Sequence, residues 1–377
     1  MVNFVLIIVV FNLTNSSTAV SGVVLSYTLP AVFLGLLAGA IVDRWDKKKI
    51  LIITNILRAF LLLDLAFFHS HLLPIYAFSL GVFIVTQFFI PAETPMIPAL
   101  VPKHMLLSAN ALFGMGVYGS VLLAYAFSGP AIIAFGETGT FIFLAICFFL
   151  ASICITLIAV PKEGKQRSFI SRLSFIGEIK SAVRLMVSER KIYHSLLLLS
   201  LSQVLVLILA VIGPGYATEI LHISVDEFPL LFVTPAAIGM IVGGLIIGNY
   251  FHRFSKEKSA TIGVFLSGLA MLFLPYGSNF VSDVNLLHFM IFFAFLLGFA
   301  NALIFVPSNT IIQEETDDRV RGKIYGGLNA FVGLLSLLPI ILVGALADIV
   351  GVAKVMSGIG IVIILIGVLR VIFRAKD

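Results

Sequence analysis

Few residues in this chain could do chemistry. Arg58 stands inside an apolar stretch, one helical turn beyond Asn55 on the same face. An ionised side chain in such a stretch is costly and marks a functional position by default. Glu93 closes the next apolar stretch, at a compatible depth if the two run antiparallel. An Arg58–Glu93 pair has two readings: a switch used in transport or proton exchange, or a static pair whose arginine reaches toward the surface. Asp64 sits near the other end of the same stretch, as a proton acceptor or in interfacial water. Neutral polar residues inside apolar stretches are Asn55, Gln87, Asn110, Tyr118, Gln203, Asn301, Asn309 and Asn329. They either orient a substrate by hydrogen bonds or join helices to one another. There is no nucleophile–base constellation, no metal-ligand spacing and no Gly-rich loop ending in Gly-Lys-Ser/Thr. Neither an enzyme nor a bound cofactor, metal or ATP is therefore expected.

These residues need a scaffold, and composition defines it. The 377 residues are 60% hydrophobic and 11% charged, with mean hydropathy +1.13. An ordinary soluble domain carries about 25% charged residues. The apolar runs are about 20 residues long, enough to cross a bilayer as helix. They lack the alternation of barrel strands. The expectation is an all-α polytopic membrane protein embedded in a lipid bilayer. A short apolar stub covers 2–13. Full spans follow at 20–42, 50–69, 73–92, 107–132, 138–160, 192–216, 228–250, 259–277, 286–306, 324–346 and 352–373. Cys147 and Cys154 share one run and read as small core residues.

Net charge is +5, but its distribution argues for topology and against a nucleic-acid partner. All of the 24 Lys and Arg except Arg58 and Lys354 fall in alternate loops or the C-terminal tail. The positive-inside rule makes those loops and the C-terminus cytoplasmic. The longest polar connection, 161–191, divides the chain into 1–160 and 192–377. Within it Phe169, Leu173, Ile176, Val183 and Val187 recur at helical spacing among bases, as in an interfacial helix or a plain linker.

The two parts repeat. Gly39, Arg44, Lys47 and Lys49 recur as Gly248, Arg253, Lys256 and Lys258, and "PAETPMIPALVPKHMLLSANALFG" (91–114) parallels "PSNTIIQEETDDRVRGKIYGGLNAFVG" (307–333). Both copies face the same side, so the repeat is parallel, about an axis along the membrane normal. The first block, "GAIVDRWDKKKIL" (39–51), sets Gly35 and Gly39 on one small face where another helix can approach. Asp43 stands where it can pair with a base or cap a helix, and the bases suit anionic headgroups. In the second copy His252 replaces the aspartate.

The block resembles the signature loop of the major facilitator superfamily, G-x-x-x-D-R-x-x-R-R, here Gly39, Asp43, Arg44, Lys47 and Lys48. "SYTLPAVFLGLLAGAIVDRWDKKKIL", "FFIPAETPMIPALVPKHMLLSANAL" and "VPSNTIIQEETDDRVRGKIYGG" resemble the branch of macrolide-efflux proteins and the enterobactin exporter. The resemblance covers nearly the whole chain. It implies two pseudo-symmetric six-helix bundles and a bacterial inner-membrane exporter. It also implies an ion gradient, with protons the expected coupling ion, and a monomer. It makes the charged block a latch between the halves, with Arg253 and Arg321 as counterparts. Gln203, in the seventh span of the family order, becomes the first candidate for a cavity wall. "AYAFSGPAIIAFG" (124–136) partly resembles the family's antiporter signature, with Gly129-Pro130 to bend its helix. The fourth-span arginine common among proton-coupled drug exporters is absent from 73–92. The stub, of ~15 Å as helix, reads as a truncated first span. Efflux of a small amphipathic compound, macrolide-like or siderophore, thus stands beside a lipid or lysophospholipid carrier, an importer, and a non-transporting remnant.

Overall fold

The computed structural model describes residues 1–42, 45–93, 95–102, 105–159, 189–250, 255–277, 283–315 and 318–374, at some helical positions the backbone alone. The described residues are helical, with no strand among them. Ten segments among them are long and apolar enough to cross a membrane. The helices are α1 (Val2–Thr14), α2 (Ser17–Val42), α3 (Lys47–Phe68), α4 (Leu72–Glu93), the short α5 (Met96–Leu100) and α6 (Leu106–Leu157). They continue with α7 (Arg190–Glu219), α8 (Thr234–Tyr250), α9 (Lys256–Phe273), α10 (Asp283–Glu314), α11 (Asp318–Val350) and α12 (Val352–Arg374). Below, "basic end" means the end carrying the Lys- and Arg-rich loops, and "far end" the opposite one.

Two expected spans, 107–132 and 138–160, are the arms of α6. Gly136 breaks the helix with φ 69° and ψ 175°, a conformation that suits a residue without a Cβ. In a straight helix residues nine apart stand ~13.5 Å apart along the axis. Here Thr140 Oγ1 donates to the Ala131 carbonyl at 3.0 Å, so the chain has folded back. Pro130 lies inside the first arm, and the reversal falls at Gly136. His69, at the end of α3, braces this turn: Nδ1 is 3.2 Å from Glu137 and Nε2 2.8 Å from Thr138 Oγ1. At α10 the expected stop before Pro307 does not occur, and the helix runs on to Glu314.

Helices α1–α6 pack among themselves, and so do α7–α12, with α2 against α11 as the main contact between the groups. Helix α1 shows why apolarity all round means burial. Every side chain from Val5 to Phe11 is at most 3% exposed, enclosed by α2, α4, α6 and α7. The outer surface is also apolar, with Phe67, Leu73, Leu112, Leu157 and Ile349 all more than 70% exposed. This is the lipid-facing side. Cys147 and Cys154 lie on it, which corrects the core expectation. Lipid and core ask for the same residue types, so composition does not tell them apart. The expected interfacial helix in 161–191 lies, but for its last three residues, outside the described residues.

The charged block holds helix ends together. Asp46 caps α3, accepting from the Lys49 N–H at 3.2 Å. Lys48 Nζ donates to the carbonyls of Thr156 (2.9 Å) and Ile158 (2.7 Å), at the C-terminus of α6. There a cation complements the helix dipole. In the second copy Lys256 pairs with Glu314 at the end of α10. Each of these bases therefore acts within its own helix group. A Cβ on Gly39 would meet nothing within 4 Å among the described residues, so the close approach expected at that glycine is absent among them.

Candidate functional site

Three places gather polar groups. The first surrounds Arg58, eleven residues into α3 and 6% exposed. Its guanidinium donates to Asn55 Oδ1 at 2.6 Å and, through Nε, to the Thr54 carbonyl at 3.3 Å. Phe89 of α4 and Phe148 of α6 offer it ring faces, their centroids 4.3 and 4.5 Å from Cζ. Such cation–π contacts gain strength out of water. Glu93 is the carboxylate whose field reaches Arg58, yet no ion pair within 4 Å joins them among the described residues. Asn55 is 2% exposed and its Nδ2 has no hydrogen-bond partner. A buried cation and an unmatched amide thus stand side by side, short of one acceptor. Asn55 belongs to this cluster and does not line the cavity described below. Asp64 is half-buried two turns further along α3.

The second place is the far-end seam between the two helix groups. Asp348, near the end of α11, caps α2 from across the seam. Ser16 Oγ donates to its Oδ2 at 2.6 Å, the Ser17 N–H to Oδ1 at 2.7 Å and the Thr18 N–H to Oδ2 at 3.0 Å. One carboxylate here serves the donors that a helix N-terminus leaves unpaired. Ser21 Oγ adds a bond to the Ile340 carbonyl at 2.9 Å. Gly344 allows this contact, since a Cβ there would stand 2.0 Å from Ser21 Oγ. Across the same seam, a Cβ on Gly129 would stand 1.7 Å from the Asp226 carbonyl oxygen. Gly129 is thus a point of backbone contact between the groups, whatever its neighbour Pro130 does to the helix.

Asp226 lies in the connection between α7 and α8. Burial pushes its carboxyl above the usual range, against hydrogen bonds from Asn12 and Ser224 that hold it down. Its Oδ1 has no partner. A raised carboxyl binds its proton better in the closed seam. Its contribution is therefore present in acid and fades as pH rises through the raised value. The closed seam is expected to weaken toward neutral pH, and Asp226→Asn to flatten that dependence. Seam distances between paired spin labels, titrated from acid to neutral, check it; an unchanged slope in the variant sinks the assignment.

The third place is a cavity of about 330 Å³ between α1, α2 and the α7–α10 group. Ile7, Leu205, Phe228, Phe232, Met271 and Leu297 supply apolar wall. A π-helical turn at Pro229–Val233 shapes one side, a distortion that often accompanies function. The polar lining is neutral: Asn3, Tyr27, Ser267 and Asn301. Asn301 also ties α10 to α7, accepting from Ser202 Oγ at 2.9 Å and donating to the Ser202 carbonyl at 3.3 Å.

Of the other expected wall residues, Gln203 is exposed and stands outside this cavity, because the helix turns its neighbour Ser202 toward Asn301. Gln87 is half-buried, donating weakly to Phe83 at 3.4 Å and bordering α2 at Gly35. Asp43, Arg44 and Arg253 lie outside the described residues, as do the side chains of Asn110, Tyr118, Arg321 and Asn329. No group of metal-ligating residues occurs among the described residues. Asp348 is the functional residue that sequence reasoning missed. The run Ser16-Ser17-Thr18 was the available signal, since it has the composition of a helix start.

A wedge tests the seam directly. Gly129→Leu is expected to keep the far end from closing and to lower transport at least about tenfold, as overpacking costs ~1–3 kcal/mol. Gly119→Ala on the same helix meets nothing within 4 Å and serves as the neutral control. Equal transport by both variants would remove the seam from the working cycle.

These features define a class first: a polytopic helical membrane protein of two helix groups around a cavity. The profile of the Major Facilitator Superfamily matches residues 1–212 and again 195–377. The chain belongs to that family, whose members are transporters and not enzymes. It is 25% identical over 380 residues to the uncharacterized MFS-type transporter YfiS of Bacillus subtilis (strain 168), covering 98% of this chain and 87% of that one. Macrolide efflux protein A of Streptococcus pyogenes is 24% identical over 361 residues, covering 90% and 83%. Among solved structures, a bacterial homolog of the human lysosomal transporter Spinster, inward-facing and occupied, superposes with TM-score 0.75. It is 13% identical and covers 99% of this chain and 94% of that one. The nucleoside transporter NupG gives TM-score 0.73 at 13% identity, covering 98% and 96%. These likenesses speak for the fold.

Proposed function

We propose that this chain is a secondary active transporter that exports a small amphipathic compound by alternating access, with protons as the coupling ion. The observation that carries the reading is the far-end seam. It closes over the cavity with a few polar bonds and backbone contacts at glycines, a joint that can open without unmaking either helix group. Similarity to macrolide efflux protein A supports the direction of transport. The alternation of basic loops supports a basic end in the cytoplasm, with the C-terminus there and the chain in a bacterial cell membrane as a monomer.

Coupling is assigned to Arg58 and Glu93. Arg58 lacks a carboxylate, Asn55 lacks an acceptor, and Glu93 is the acid that acts on them. Glu93 moving onto this cluster on losing its proton would satisfy both. Gly39, Asp43, Arg44, Lys47 and Lys48, with Arg253 and Arg321 opposite, form the cytoplasmic latch that holds the alternate state. The capping bonds of Lys48 give that latch a fixed base on α6.

The test is accumulation of labelled macrolides, dyes and siderophores in cells expressing the chain, with and without a protonophore. Lowered accumulation that returns when the gradient collapses, and is lost in Arg58→Ala, is the expected result. Equal accumulation throughout, with the protein shown to be in the membrane, argues against export of any compound in that panel.

A further inference from the structure

We propose that the substrate enters the cavity as an uncharged molecule, with an apolar body of about two fused rings. This rests on the reading of the cavity as the transport site. Three observations carry it. Among the described residues, the cavity lining contains no Asp, Glu, Lys, Arg or His. The same is true of most of the chain at membrane depth: residues 2–42, 72–92, 105–136, 195–218, 228–251, 289–313 and 324–347 include no Asp, Glu, Lys, Arg or His. Arg58, the cation in the middle of the α3 span, is turned away, closed between Phe89 and Phe148 inside α3, α4 and α6.

A charged ligand moved from water into such walls meets no opposite charge, and its lost hydration goes uncompensated. A neutral apolar ligand gains from the same walls in proportion to the area it buries. Asn3, Tyr27, Ser267 and Asn301 supply neutral dipoles, enough to orient a hydroxyl or carbonyl but not to neutralise an ammonium or a carboxylate. The volume accommodates such a body. The cavity, of about 330 Å³, is roughly twice the ~150 Å³ apolar cavity that takes benzene. The absence of ionisable groups also bears on coupling. Proton and substrate cannot compete for one carboxylate in this cavity, so the proton must bind elsewhere.

The test uses one ring system in three charge states: naphthol, trimethylnaphthylammonium and naphthalenesulfonate. Retention by the full chain in lipid nanodiscs is measured by equilibrium dialysis at neutral pH, above retention by protein-free nanodiscs. Naphthol is expected to bind at least about tenfold more tightly than either ion. Filling the cavity with Ala210→Trp, or from another wall with Met240→Trp, is expected to abolish that retention. Equal binding of an ion, naphthol retention untouched by both fillers, or no retention of naphthol overturns the proposal. The assay needs no gradient, so it separates the two ideas. Selective naphthol binding without gradient-driven export leaves the uncharged site standing and removes the carrier reading. Export of a permanently charged compound that both fillers block keeps the carrier and removes the uncharged substrate.

Discussion

Asp348→Asn is expected to open the far end. The carboxylate accepts one hydroxyl and two backbone N–H donors of α2, at 2.6, 2.7 and 3.0 Å. Hydrogen bonds to an ionised acceptor are roughly twice as strong as neutral ones. The amide that replaces it keeps the shape, loses the charge and turns a donor toward N–H groups that need an acceptor. Asp348 is exposed, so screening reduces the effect to about 1–2 kcal/mol, a population shift of about tenfold. Spin labels on Leu13→Cys and Lys354→Cys, with Cys147 and Cys154 replaced by Ser, would read it as a longer distance across the seam. Asp348→Glu is expected to restore part of the closed population. No change in distance with Asp348→Asn would show that the glycine contacts close the seam unaided.

The largest effect is expected at Arg58, where stability and function should separate. Arg58→Met removes the charge and keeps much of the volume. Replacing a buried charge by an apolar side chain is often neutral or stabilising, so the thermal midpoint should hold or rise. Gradient-driven export should fall at least about 100-fold if the cluster couples the cycle, equivalent to ~2.7 kcal/mol. Arg58→Lys is expected to fail as well. An ammonium lacks the flat guanidinium that lies between Phe89 and Phe148. Glu93→Gln should keep the fold and uncouple export from the gradient, leaving only downhill movement. Full export by Arg58→Met with an unchanged protonophore response would reduce the cluster to packing.

The cluster shows how far residue types go. That Arg58 and Asn55 share a face follows from their spacing of three, and the 2.6 Å bond confirms it. That Glu93 stops short of an ion pair while two phenylalanines close over the guanidinium depends on where α4 and α6 settle against α3. Spacing along one helix says nothing of that. Gln203 and Ser202 make the same point. Adjacent polar residues point about 100° apart on a helix, and only the packing of α7 on α10 decides which one is turned inward.

By itself the sequence determined the membrane class and most of the span positions, and it predicted a parallel repeat and the sidedness of charge. Hydropathy and the placement of Lys and Arg are local quantities, each legible within a window of about 20 residues. It also determined that the spans carry almost no ionisable groups, on which the uncharged substrate rests. Only the tertiary structure decided that Asp348 caps α2 from 331 residues away. It alone set Gly129 against the backbone of Asp226, and turned Cys147 and Cys154 toward lipid. The reason is physical. A capping carboxylate, a glycine contact and a lipid-facing side chain are properties of pairs of surfaces. In a chain whose core and exterior are equally apolar, no single stretch records which surface it will meet.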